Sequence, residues 1–383
     1  MAGNNSRLFS GTLGPARLFL PMSLAFGGWQ MASAENQIDY RYEYYKEDNS
    51  RMTINTHSIY FEQQILDYVT AKGELTYDGI SGATPNGTIN SSGMPNTSHM
   101  IDIRRAENLE VDTQLGHHLL ASTFSHSLES DYESYGVSES DAIDFNDKNT
   151  TLQFGLSHNF DSVLDNSSPR IWRDKQSTEG IIGISQLLSP KTILTGNITV
   201  GNDSGYLNDP YRFAAYYPNI FPPGVDIGVP DKRPSHRNKE VAYTSLTYFV
   251  TPANASIEGS YRFFHDSYGV FSHTLELTWH QWLGSHLIVE PRFRFSEQSS
   301  ADFYTAGFSG PFTTDPAGMY SSDYRLSELY TLDYGLQATF VIDKNTRIIA
   351  GYHRFEMRGL DNVTSPAMYP KANVITIGFT ILW

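Results

Sequence analysis

The sequence predicts an all-β fold, a single transmembrane antiparallel β-barrel of about sixteen strands, and three observations carry that expectation. The first is VITIGFTILW at 374–383. In steps of two, Ile375, Ile377, Phe379, Ile381 and Trp383 fall on one face, and Val374, Thr376, Gly378, Thr380 and Leu382 on the other. Strand side chains alternate between faces, so one side is continuously apolar and the other mostly small or hydroxylated. That is the pattern of a strand between lipid and a barrel lumen. The second observation is two classes of connector, short turns and long polar loops, arranged as in outer-membrane barrels. The third is composition: 24 Tyr and 22 Phe against only 18% charged residues, a supply suited to aromatic girdles.

The N-terminal segment comes first. Arg7 and Arg17 are the only charged side chains before Glu35, and they precede the apolar run LFLPMSLAFGGW. Ala32-Ser33-Ala34 has the small-x-small form of a cleavage site, so residues 1–34 read as a cleaved signal peptide and 35–383 as the barrel. Losing two arginines and no acids would take the net charge from −15 to −17. After residue 34 no run reaches the ~18 uncharged apolar residues of a membrane helix. Cysteine is absent, which excludes disulfides and thiolate chemistry, and the acidic balance argues against nucleic-acid partners.

Alternation then places the strands. Tyr40, Tyr42 and Tyr44 oppose Asp39, Arg41 and Glu43, and Leu109, Val111, Thr113 and Leu115 oppose Asn108, Glu110, Asp112 and Gln114. Leu275, Leu277 and Trp279 oppose Thr274, Glu276, Thr278 and His280. Strand centres fall near 42, 57, 73, 111, 124, 139, 154, 183, 197, 245, 260, 277, 292, 332, 351 and 378. The strand near 139 is weak by pattern and rests on parity, and fourteen to eighteen strands fit the same connectors. Short turns include LSPKT, TPAN, LGSH and two copies of DKNT, at 147–150 and 343–346. Long extracellular loops are expected at 79–102, 160–176, 204–238, 299–322 and 358–371.

Inside such a barrel, charges must face the lumen, since Arg or Lys toward lipid costs about 2–4 kcal/mol at mid-depth. Glu258 and Arg262 share a face, as do Glu290, Arg292 and Arg294, and Glu276 faces the same way; these are the candidate lumen-lining residues. They would either line an ion path or close on one another as salt bridges. The 204–238 loop carries six prolines, among them Pro222 and Pro223, with Asp226 and the aromatics Tyr211, Phe213, Tyr216, Tyr217 and Phe221. It is expected to be ordered and to narrow the lumen, with Asp209, Tyr211, Arg212, Arg233 and Arg237 as the constriction candidates. Glu129, Asp131 and Glu133, with Glu139 and Asp141 beyond, offer hard oxygen ligands for a structural Ca²⁺, although a solvated acidic rim accounts for the same residues. No other cofactor is expected. With neither GxSxG nor HExxH present, the expectation is not an enzyme.

Four stretches carry a resemblance: DGISGATPNG at 78–87, SLESDYES at 127–134, GYLNDPYR at 205–212 and QSSADFY at 298–304. With the N-terminal signal and the closing strand, they resemble a family of Gram-negative outer-membrane barrels catalogued as a domain of unknown function. The resemblance spans the chain after residue 34 and implies fold and outer-membrane location, with no established substrate. It also hints at envelope partners such as small lipoproteins or redox proteins. Lipid, lipopolysaccharide and the barrel assembly machinery are the partners expected of any such barrel, with Phe379, Ile381 and Trp383 as the assembly signal. The leading functional expectation is a porin-like channel for small polar solutes or ions. The alternatives are a non-conducting scaffold or conduit for envelope partners, and an outer-membrane enzyme.

Overall fold

A computed structural model describes residues 36–90, 92–219, 227–310 and 318–383. The expected signal segment, and Phe221, Pro222, Pro223 and Asp226 of the long loop, lie outside the described residues. The strands, in chain order, are β1 (Gln37–Glu47), β2 (Met52–Leu66), β3 (Val69–Ile89), β4 (Pro95–Leu115), β5 (His118–Leu128), β6 (Tyr132–Phe145) and β7 (Thr150–Leu164). There follow β8 (Trp172–Ser189), β9 (Thr192–Gly205), β10 (Phe213–Pro218), β11 (Ile227–Pro230), β12 (His236–Val250) and β13 (Ala255–Asp266). The last six are β14 (Phe271–Leu283), β15 (Leu287–Gln298), β16 (Phe308–Gly310), β17 (Leu329–Val341), β18 (Thr346–Gly359) and β19 (Lys371–Leu382).

Sixteen of these form one closed antiparallel barrel, and β10, β11 and β16 form a separate small sheet. Each expected strand centre falls within a barrel strand, including the weak one near 139 in β6. Closure is made by β1 against β19, in register from Gln37↔Leu382 to Glu47↔Ala372. A closed barrel satisfies every ladder hydrogen bond without an edge, as a strand protein in lipid must. No described helix is long and apolar enough to cross a membrane.

The alternation sorts the side chains as expected. Ile377 is 53% exposed on the outward face of β19, whereas its neighbours Val374 and Thr380 point inward and are buried. Tyr261, Leu275, Leu277 and Phe293 continue the outward apolar band. Among the described residues, the connections at one end of the barrel are all tight turns, such as Leu66–Val69, Leu115–His118 and Ser189–Thr192. The other end carries the long connections.

Three expectations about the connectors are corrected. Residues 79–102 are mostly strand: β3 and β4 run on past the apolar band as a hairpin, paired through Pro85↔Thr97. A register shift between Pro85 and Ile89 absorbs the glycines and proline that read as a loop. The 160–176 loop shortens to 165–171, and that of 299–322 lengthens to reach β17 at Leu329. Glu139 and Asp141 belong to no rim. They lie on the outward face of β6, opposite Leu156 and Phe154. There Ser122 donates to Glu139 at 2.8 Å, and His118 pairs with Asp141 at 2.8 Å. A carboxylate beside lipid needs such a partner.

Candidate functional site

The lumen wall is built from the inward face of the ladder. All six lumen candidates point inward. Glu276 sits between two arginines, 3.0 Å from Arg292 and 3.8 Å from Arg294. Glu290 is bonded by His280 at 2.5 Å and accepts from the Gln337 amide at 2.8 Å. Arg262 stacks on Phe264, 5.6 Å from the ring centroid. These groups keep contact with water: the Arg292 side chain is 24% exposed and Glu276 15%. About half a turn around the barrel, β1–β4 present Asp39, Glu43, Glu62, Glu74, Asp78, Glu110 and Asp112 inward, against Arg41, Lys72 and Arg104. Lys72 pairs with Glu110 at 3.0 Å and with Asp112, and Arg104 with Asp78 at 2.7 Å. An acid-rich wall therefore faces a wall carrying three arginines.

The loop-end mouth is covered by a cap. The connection between β9 and β12 and that between β15 and β17 are knitted together: β10 pairs antiparallel with β11 and parallel with β16. Ala214, Ala215 and Tyr216 of β10 are buried, and Tyr216 stacks on Phe308 at 5.0 Å. Under this sheet lies a buried cluster of three acids and three bases. Arg325 donates to Asp209 at 2.5 Å and to Asp323 at 2.7 Å. Arg233 reaches Asp231 at 2.5 Å and Asp323 at 2.9 Å. Arg212, fully buried, lies 3.7 Å from Asp323, 3.8 Å from Asp209 and 5.5 Å above the Tyr324 ring.

Of the constriction candidates, Asp209, Arg212 and Arg233 thus meet in the cluster. Tyr211 is near it and donates its hydroxyl to Asp131. Arg237 stands apart at the top of β12, bonded to Asp266 at 2.8 Å and stacked on Tyr268. Sequence reasoning placed Asp231 in the loop but not among the constriction candidates, and it missed Asp323 and Arg325. The last two sit beyond the loop boundary assigned from composition, in a turn that reads as ordinary polar sequence.

Burial alone would raise the Asp323 carboxyl, but Arg325, Arg212 and Arg233 hold it far below the ordinary carboxylate range. Asp209 is likewise lowered, burial being outweighed by Arg325 and Arg212. Asp231 is raised, because burial outweighs Arg233. Lowered carboxyls stabilise the cap at any pH above their unfolded value near 4, and that contribution is lost only as pH falls through the lowered values. Asp231 acts in the opposite sense and is the lone member to do so. From neutral pH down to about 4 the cap should therefore not loosen, protonation of Asp231 acting only to tighten it, and it should loosen below that. Conductance of the refolded protein across this range checks the point: a rise already near pH 6 would mean the pairs do not hold the cap.

The four sequence stretches behind the family resemblance converge here. Arg212, from GYLNDPYR, donates to the Pro85 carbonyl and at 3.2 Å to the Thr84 hydroxyl, both from DGISGATPNG. Gly87 of that stretch has φ +103, and a Cβ there would lie 2.2 Å from the Phe213 carbonyl oxygen, so the cap can approach only a glycine. Asp131, from SLESDYES, receives the Tyr211 hydroxyl. In QSSADFY, the Ala301 N–H donates to the Leu326 carbonyl at 2.8 Å, and Phe303 packs edge-on to Tyr268.

A family model described as "Protein of unknown function (DUF3570)" matches residues 13–374. The chain belongs to that family. Within this DUF3570 chain, the resemblance motifs are therefore cap-building segments. No curated protein matches it by sequence. Among solved structures it is similar to OccK8 (OprE) from Pseudomonas aeruginosa at 10% identity and a TM-score of 0.44, covering 91% of this chain and 98% of that one. It is similar also to a bacterial polysaccharide outer membrane secretin, at 9% identity and a TM-score of 0.49, covering 92% and 99%. The siderophore receptor PirA from Pseudomonas aeruginosa matches at 10% identity and a TM-score of 0.43, covering 86% of this chain. The chain spans 57% of that receptor's length.

The expected calcium ligands separate. Glu133 points outward, 3.4 Å from His126. Glu129 and Asp131 instead meet Asp102 of β4, with a carboxylate oxygen from each within 4.8 Å of the others. Among the described residues, these three buried carboxylates are the group placed to hold a divalent cation. Ser130 already donates to Asp102 at 3.0 Å, and Arg170 lies 3.7 Å from Asp131.

Proposed function

We propose that this chain is an outer-membrane channel for small polar solutes or ions, with its tight turns on the periplasmic side and its capped mouth outside. The observation that carries the reading is the lumen wall. Sixteen strands enclose more interior than side chains alone readily fill. The wall pairs an acid-rich arc with a facing arc that carries Arg262, Arg292 and Arg294. Charges so placed set the selectivity of a water-filled path, and the excess of acids favours cations. The cap narrows the entrance. The family resemblance supports the outer-membrane location, and insertion would fall to the barrel assembly machinery.

The test is single-channel conductance of the folded protein in a planar bilayer. Stable steps preferring cations are expected, with the preference rising in an Arg292→Gln/Arg294→Gln variant. A silent bilayer, with folding verified by heat-modifiable gel mobility, would sink the channel reading. It would favour a second one, suggested by the tightly bonded cap: a sealed scaffold for envelope partners such as lipoproteins or redox proteins. An outer-membrane hydrolase ranks below both, because the sequence carries no nucleophile or metal-protease motif.

A further inference from the structure

One sector of the outward face differs in charge from the rest. Lys46 on β1, Lys371 on β19, and Arg354 and Arg358 on β18 lie on three consecutive barrel strands. Register brings them together: Asn373 is opposite Lys46 on one side and Arg354 on the other, and Lys371 is opposite Glu356. Diagonal neighbours in such a ladder stand about 7–8 Å apart. The residues between them, Tyr45, Phe355, Ala372 and Val374, are buried inward, so all four cations point out. Arg358 and Lys371 keep side-chain exposures of 50% and 42%.

Their depth matters as much as their number. Directly below on the same face come Tyr44, Tyr352 and Ile375, then Ile377 and Phe379 of the apolar band. The cations therefore sit just loop-side of the hydrocarbon, at headgroup level. Two acids share the sector: Asp48 holds Arg354 at 2.9 Å, and Glu356 holds Arg358 at 2.7 Å. Lys371 is only loosely associated, 3.9 Å from Glu356. Four cations against two acids leave a local excess of positive charge on a chain whose net charge is −15. Elsewhere at this level the outward charges are mostly carboxylates, Glu107, Glu133, Glu240 and Glu297, each of them beside a histidine.

We propose that the β18–β19–β1 sector binds a phosphorylated sugar lipid of the outer leaflet, lipid A, with its phosphates among Lys46, Arg358 and Lys371 and its acyl chains along Tyr352, Ile375 and Ile377. Basic clusters at headgroup depth recognise anionic lipid heads in this way. Phosphate alone would make no use of the apolar strip beneath. A phospholipid of the opposite leaflet would place its head at the turn end. The inference rests on the outer-membrane orientation proposed above and is independent of whether the lumen conducts.

Native mass spectrometry of the folded full chain tests it, with bisphosphorylated lipid A, dephosphorylated lipid A, phosphatidylglycerol and inorganic phosphate as separate probes. Lipid A should be retained by the natural chain and lost by about tenfold or more in a Lys46→Gln/Arg358→Gln/Lys371→Gln variant. Dephosphorylated lipid A should bind the natural chain as weakly as the variant binds lipid A. Because these side chains are exposed, gel mobility should show the variant folded, and its conductance should match that of the natural chain. Equal lipid A retention by both chains would overturn the proposal. So would phosphatidylglycerol or inorganic phosphate binding as well as lipid A. A silent lumen with lipid A retained would sink the channel reading alone.

Discussion

Deleting residues 213–232 should raise single-channel conductance at least about twofold while leaving the barrel assembled. The deletion removes β10 and β11, and β10 is the strand that pairs the β9–β12 connection with β16. It also removes Asp231, one of the Arg233 partners. The barrel ladder itself is untouched, since β9 and β12 pair directly from His236↔Ser204 to Tyr248↔Thr192. A finer cut makes the same point. Asp323→Ala would leave Arg212, Arg233 and Arg325 with only Asp209 and Asp231 to balance them in a buried site. Removing one partner of a buried ionic group typically costs about 3–5 kcal/mol, because the charges left behind are uncompensated. That is enough to melt a small cap and too little to open a barrel. Noisier, larger conductance steps are expected from Asp323→Ala, intermediate between the natural chain and the deletion. Unchanged conductance in the deletion would show that the cap does not narrow the path.

Removing Ile381 to Trp383 should abolish assembly, read as loss of the heat-modifiable barrel from the outer membrane. Ile381 pairs with Ile38 on one side and Thr346 on the other. The Leu382 N–H donates to the Asn345 carbonyl at 2.7 Å, and the Trp383 N–H to the Asn36 carbonyl at 3.0 Å. Cutting these leaves unpaired backbone groups at the turn end of the seam, where lipid offers no replacement partner. It also shortens the outward apolar strip of Phe379, Ile381 and Trp383. A normally migrating barrel after this truncation would refute the role assigned to the end of β19.

The barrel was legible because its signal is local. Alternation in segments such as Leu275–Trp279 reports which side faces lipid, and turn residues such as DKNT report where the chain reverses. Even the weak strand near 139 followed from parity. The cap was legible only in part, because its logic is non-local. Arg212 meets Asp323 and Pro85 across long stretches of chain, and no periodicity links them. The β3–β4 hairpin was misread for a related reason: beyond the membrane a strand needs no apolar face, so Gly79, Gly82 and Pro85 read as loop. Glu139 and Asp141 escaped because their partners, Ser122 and His118, lie on the neighbouring strand.

The seam between β1 and β19 also says something about time. Its partners, Gln37 and Leu382, come from opposite ends of the described chain. Every other barrel pairing joins strands much nearer in sequence, most of them hairpin neighbours. Contacts of high sequence separation carry the largest loop-closure entropy and form late. The hairpins can zip progressively, whereas the ring cannot shut until β19 has been made and threaded alongside β1. Until then the growing sheet has two open edges, each able to recruit a stray strand. Closure of the ring is therefore the last pairing open to this chain, and whatever escorts it must hold the first strand unsatisfied until the last one arrives.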